Sequence, residues 1–181
     1  DRHIRKLNRR IKEIATEQSM QPLYVTTKAL EPLNKMHSDA FNDEHLDYQV
    51  LLATDSLLSI YFDGYSYSIG AAHGSQYSRV INYDLAAGKE LKLARLFKPG
   101  AKYLEFISRY CSNRLPLDPD RPLEFTKDPA SWNITPEGLN FTFDHCEFFA
   151  CSEGTKQVKI PFAAMKEILN TEMSLLKELG V

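Results

Sequence analysis

From Ile4 to Met20 the apolar residues return every three to four positions. Ile4, Leu7, Ile11, Ile14 and Ala15 share one arc of about 100°, while Arg2, Arg5, Lys6, Arg9, Arg10 and Lys12 fill the rest. This spacing predicts an amphipathic helix, capped by Asp1 and ended by Pro22. Its basic face reads as the solvated side of a surface helix rather than as a site for anionic lipid or wall polymer. A shorter helix is expected from Pro32 to Asn42, with Leu33, Met36, Ala40 and Phe41 inward and Pro32 in the first turn.

The period then changes from 3.6 to 2. Leu46 to Ala53 alternates, with Tyr48, Val50 and Leu52 on one side; Leu57–Phe62, Tyr65–Ile69 and Tyr77–Asp84 follow. Thr54-Asp55-Ser56, Asp63-Gly64 and Gly70-Ala71-Ala72-His73-Gly74 separate them, which indicates an antiparallel meander, with a further turn around Gly88. Ala101 to Leu115 returns to helical spacing behind Pro99-Gly100. Its inner face is Tyr103, Leu104, Ile107, Tyr110, Cys111 and Leu115, so Cys111 is expected to pack as a small hydrophobe.

Pro116, Pro119, Pro122 and Pro129 mark a long loop, of a kind that is often functional or mobile. A hairpin follows: Trp132–Ile134, a turn over Thr135 to Gly138, then Leu139–Phe143, with Leu139, Phe141 and Phe143 opposed to Asn140 and Thr142. Val158–Ile160 reads as a short strand. Pro161 opens a last helix running to Leu179, whose stripe of Phe162, Met165, Ile168, Leu169, Met173, Leu176 and Leu179 calls for a sheet to cover. Helices at both ends and one midway, around a mainly antiparallel sheet, define an α+β layered domain.

Composition sharpens this picture. The chain has 181 residues, 43% hydrophobic and 25% charged, enough for one domain with a real core and against disorder. A net charge of -2 offers no basic field for nucleic acid. No apolar run reaches the ~18–20 residues that span a bilayer, and no signal-peptide core is visible. The chain opens at Asp1, which suggests a processed protein or a piece of a longer one.

Catalytic motifs are scarce. There is no Gly-x-Ser-x-Gly elbow, no metalloprotease helix and no P-loop. Cys146 or Cys151 with His73 or His145 would form a Cys–His pair, but no third group orients it. His145, Cys146 and Cys151 lack zinc-knuckle spacing and a fourth ligand, so neither a metal nor a cofactor is expected. With three cysteines, Cys146 and Cys151 either bond to each other, leaving Cys111 alone, or remain two packed thiols. The most unusual string is Ile69-Gly70-Ala71-Ala72-His73-Gly74. Tyr61, Tyr65, Tyr67 and Tyr77 crowd around it, so together with His73 they form a candidate binding face for sugar or protein. The plainer reading is a histidine that satisfies the backbone of a tight connection, with tyrosines packing the sheet.

The order of motifs carries a resemblance. Tyr67 to His73, Asn82-Tyr83-Asp84-Leu85, Gly88-Lys89, Leu91, Leu96-Phe97, Trp132, Glu137-Gly138-Leu139, Phe141 to Phe143, Gly154, Val158 and Ile160-Pro161 resemble a bacterial extracytoplasmic domain of unknown function. That domain forms the outer part of the lysozyme-sensing anti-sigma factor RsiV and lies beside some peptidoglycan deacetylases. On this basis residues 46–181 are the RsiV-like C-terminal domain, and 1–45 the helical end of a companion N-terminal region, both in one compact unit. The family's Gly-Gly-Ala-His is here Gly70-Ala71-Ala72-His73, and its following Pro is Gly74. Two tyrosines of the family are replaced here by Cys146 and Cys151, which implies a disulfide and an exported protein.

The resemblance implies a non-catalytic envelope binding or sensing module, exported to the periplasmic or extracellular face. The parent would be a lipoprotein or otherwise membrane-anchored, through an anchor outside this chain. Its partner would be a lysozyme-like protein or peptidoglycan. The rival readings are a hydrolase on wall sugar or peptide, using Asp63 and Asp84 near His73, and a purely structural envelope protein.

Overall fold

Alternating apolar and polar positions between Asp43 and Asp84 fold as three long antiparallel strands, the first part of a computed structural model that describes residues 2–16, 43–67, 71–117, 123–144 and 153–181. Strand β1 is Asp43–Ala53, β2 Leu57–Tyr67, β3 Ser75–Asp84 and β4 Lys89–Glu90, in spatial order β1-β2-β3-β4. A second antiparallel sheet contains β5 (Trp132–Ile134), β6 (Gly138–Phe143) and β7 (Lys156–Pro161). Among the described residues the helices are α1 (Arg2–Thr16), α2 (Tyr103–Ser112), α3 (Phe162–Met165) and α4 (Ser174–Glu178), with a 3-10 turn at Leu93–Leu96. The α+β class, mainly antiparallel and with helices near both ends, is therefore correct, although the strands form two sheets.

Each face of the first sheet has its own core. Leu7 and Ile14 of α1 pack on Ile60, Phe62, Ile81 and Tyr83. Arg10 Nε donates to Glu90 at 2.7 Å, and His3 Nδ1 lies 3.2 Å from the Leu85 carbonyl oxygen, so α1 is seated over the β3–β4 turn. Gly88 in that turn has φ 64, and a Cβ there would stand 2.4 Å from the His3 ring, so glycine is required twice over. Ile4, expected on the inner arc, is 45% exposed and lies outside this contact. The larger core joins Leu52 and Leu57 of the first sheet to α2, the apolar face of the second sheet and the C-terminal helices. Cys111 is fully buried in it, as expected.

Three expectations need correction. Asp63-Gly64 is not a turn: β2 runs unbroken through it, pairing Gly64 with Leu46 on one side and Tyr77 on the other. Glycine there leaves room for the Tyr77 ring, which in its present position a Cβ would meet at 2.1 Å. Tyr48, Val50 and Leu52 do not share a side. The register shifts between Val50 and Leu52, and this bulge turns Leu52 into the larger core while Tyr48 stays 72% exposed. The stripe from Phe162 to Leu179 is not one helix. Lys98 N–H donates to Ile168 O (2.9 Å) and Asn170 N–H to Leu96 O (2.8 Å), flanking a Phe97–Leu169 bridge. Backbone committed to that pairing leaves the helix, which resumes only at Ser174. Met20 and the expected Pro32–Asn42 helix lie outside the described residues.

A buried polar network ties the two sheets together. Asn82 Oδ1 accepts from Ser59 Oγ at 2.8 Å and from the Ile134 N–H at 3.1 Å, and its Nδ2 donates to Trp132 O at 2.7 Å. Asn133 Nδ2 donates to Ser59 Oγ and to Ile60 O, both at 3.0 Å. Asp84 accepts from the Ala87 N–H at 2.7 Å, closing the turn before Gly88. Asn82, Asp84, Gly88 and Trp132, which carry much of the family resemblance, thus serve the architecture.

Candidate functional site

The structure divides the five residues of the candidate face. Along β2, Tyr61, Tyr65 and Tyr67 point to the side away from α1, because strand residues alternate. Tyr77, opposite Gly64, points to the α1 side, where its hydroxyl donates to Glu44 at 3.2 Å and Arg79 stands 5.1 Å from its ring centre. The Tyr65 ring lies over Gly74, at the spot where a Cβ would come within 2.3 Å. His73 is exposed, with Nδ1 donating to the carbonyl of the next residue, Gly74, at 2.9 Å. That bond to the backbone of the connection is of the kind the plainer reading expects, but it is exposed, so water can replace it. Cys146, Cys151 and His145 lie outside the described residues.

The carboxylates offered for hydrolysis are not a pair. Asp63 stands opposite Ser78 and Asp84 opposite Leu57, six residues further along β2. At ~3.4 Å per residue that is about 20 Å, against the ~5–9.5 Å of paired glycosidase carboxyls. Asp84 is also engaged in its turn and lies 3.5 Å from Arg95.

A concave feature instead lies beside α2. Its middle hollow, ≈ 670 Å³, has Lys102, Glu105 and Arg109 on the helix side and Leu123, Glu124 and Phe125 on the other. The opposite wall is pinned to the helix: Phe125 N–H donates to Ser108 Oγ (2.9 Å) and Leu123 N–H to Ser112 Oγ (3.0 Å). A second hollow of ≈ 450 Å³, near Arg95, Lys98 and Met173, shares Ala101 and Tyr103 with it. A third of ≈ 440 Å³, near Lys127, Ser131 and Phe141, shares Glu124, Phe125 and Thr126. The outer two share no residue, but Tyr103 of one bonds Asp128 of the other, so the three adjoin one another with Tyr103 and Phe125 as ridges at the shared walls. The ridges are fixed from behind. Tyr103 stacks on Phe97 at 4.6 Å and donates to Asp128 Oδ1 at 2.6 Å, and Phe125 lies 6.4 Å from Phe143.

Tyr103, Arg109, Glu124 and Phe125 were not singled out as site residues from the sequence. The proline-marked loop after Leu115 was the available signal, because a long ordered connection must lie against something.

Burial and the Asp128 hydrogen bond push the Tyr103 phenol up to about 12. Burial, with the charges of Asp63 and Asp144, does the same for Tyr61, and burial alone raises the Cys111 thiol to about 12. Unfolded, these groups ionise near 10.0 for tyrosine and 9.0 for the thiol. Above those values the unfolded chain releases protons that the folded chain keeps, so stability is intact below them and falls as pH rises toward 12. Melting temperature should therefore decline steadily over that range, less so for Tyr103→Phe, while tyrosinate absorbance lags behind that of free tyrosine. A folded chain whose tyrosines all titrate near pH 10 would contradict this.

A two-sheet α+β domain with an open groove beside α2, in which Asp63 and Asp84 stand far apart, is the class defined here. Residues 94–163 match the model of a family described as a protein of unknown function, DUF3298. The chain is 26% identical over 155 residues to the peptidoglycan-N-acetylmuramic acid deacetylase PdaC of Bacillus subtilis (strain 168). The match covers 80% of this chain and 33% of that enzyme, so the chain spans about a third of its relative's length. Two solved structures share the fold. A DUF3298 member from Bacteroides fragilis is 19% identical, with a TM-score of 0.63 over 84% of this chain and 66% of that one. A DUF3298 family protein from Pseudomonas aeruginosa PAO1 is 21% identical, with a TM-score of 0.64 over 91% of this chain and 79% of that one. The resemblance drawn from the motifs, to a domain of unknown function beside peptidoglycan deacetylases, therefore holds.

Proposed function

We propose that this domain is a non-catalytic binding or sensing module of an exported cell-envelope protein, taking a wall glycan or a lysozyme-like protein as its ligand. The observation that carries the reading is the three-hollow groove, walled by hydrogen-bonded backbone and lined by mixed charge and aromatic rings. The separation of Asp63 from Asp84 weighs against the hydrolase, and the relative's deacetylase activity belongs to a protein of which the match covers only 33%. In the parent protein the module would hold the attached domain or sensor near its target, as a linked second site raises effective concentration.

The test is a paired assay on the purified chain. Co-sedimentation with purified cell-wall sacculi and titration with a lysozyme measure binding, while released acetate, amines and reducing ends measure chemistry. Binding to either ligand without released product is the expected result. Turnover of the wall, or no binding to either, would overturn the reading.

A further inference from the structure

The geometry points to one class of ligand for the groove beside α2: a linear chain of N-acetylated sugars, lying across Tyr103 and Phe125 with successive units in successive hollows. This rests on the binding-module reading above and names its ligand and site.

Three features select such a ligand. Adjoining hollows that share walls suit a polymer with a repeating unit better than a single compact molecule. The ridges are rings held in place by Phe97, Asp128 and Phe143, so little side-chain freedom is lost when the apolar face of a sugar settles on them. The charge around the middle hollow is balanced, Lys102 and Arg109 against Glu105 and Glu124, with Lys102 and Glu105 3.4 Å apart. Side chains of both signs can donate to and accept from hydroxyl and acetamido groups. A polyphosphate chain would call for an excess of positive charge, which this hollow lacks.

The occupant need not reach into the core. Arg109 and Glu124 are exposed, on opposite walls, and neither belongs to the apolar cluster beneath. Replacing them changes the groove without emptying the fold. Tyr103 packs on that cluster, so its truncation would confuse binding with stability.

The experiment titrates the full chain with N-acetylglucosamine oligomers of two to six units, by calorimetry and by amide chemical shifts. Affinity should rise with each added sugar until the groove is filled, with shifts centred on α2 and residues 123–131. Arg109→Ala and Glu124→Ala should each weaken the longest oligomer roughly three- to tenfold at unchanged melting temperature. Length-independent binding, shifts elsewhere, or variants that bind as well as wild type would overturn the assignment, as would tighter binding of an extended peptide at the same residues. The same variants on sacculi separate the two levels. Retained sacculus binding would sink the groove and leave the module standing, whereas wild type that binds neither wall nor lysozyme would remove both.

Discussion

Replacing Asn82 by alanine should cost about 3–5 kcal/mol of stability, and lower the melting temperature by roughly 8–15 °C for a domain of this size. Asn82 is 5% exposed and its amide joins three groups from separate parts of the chain: the Ser59 hydroxyl on β2, and the Trp132 carbonyl and Ile134 N–H on β5. Alanine leaves two backbone groups of β5 buried without their partner, and each carries a desolvation cost of ~1–3 kcal/mol. A side chain this central also sets how β5 sits on the first sheet, so hydrogen exchange should accelerate in β5 and β2 together. Chemical denaturation of Asn82→Ala decides it; a loss below about 1 kcal/mol would show that water or a neighbour replaces the amide.

Gly138→Ala should be as damaging by a different route, at about 3 kcal/mol or more. An added Cβ would meet the Ile160 carbonyl oxygen at 2.1 Å, with Ile160 C and Pro161 Cα at 2.9 Å. All three atoms are backbone of β7, directly across the ladder, so relief requires β6 and β7 to part. Gly64→Ala is the informative contrast. Its nominal approach is equally close, 2.1 Å, but the obstacle is the Tyr77 ring, which can swing aside. That variant should cost only about 1 kcal/mol, mostly from lost ring packing. Equal losses for the two would refute the distinction between backbone and side-chain obstacles.

How much of this was readable in advance depended on the range of the forces involved. Strand and helix periods are local, so α1, β3, α2 and the β5–β6 hairpin were legible from the spacing of Leu7 and Ile14, of Ile107 and Cys111, and of Leu139, Phe141 and Phe143. Gly88 and the burial of Cys111 followed from the same local rules, and the order of motifs identified the kind of domain. Partners far away in the chain decided the rest. Leu169 leaves its helix because Phe97, distant in sequence, pairs with its backbone. Leu52 enters the core because β1 shifts register against β2. Gly64 reads as a turn residue in isolation, and becomes a strand residue because Tyr77 lies across it. The tyrosines close in sequence separate onto two faces, as alternation and pairing require. The groove is likewise a tertiary product. Tyr103 and Phe125 sit on different segments, and the hydrogen bonds of Ser108, Ser112 and Asp128, with the burial of Leu123 in one core with Ile107 and Cys111, bring those segments to face each other across one hollow.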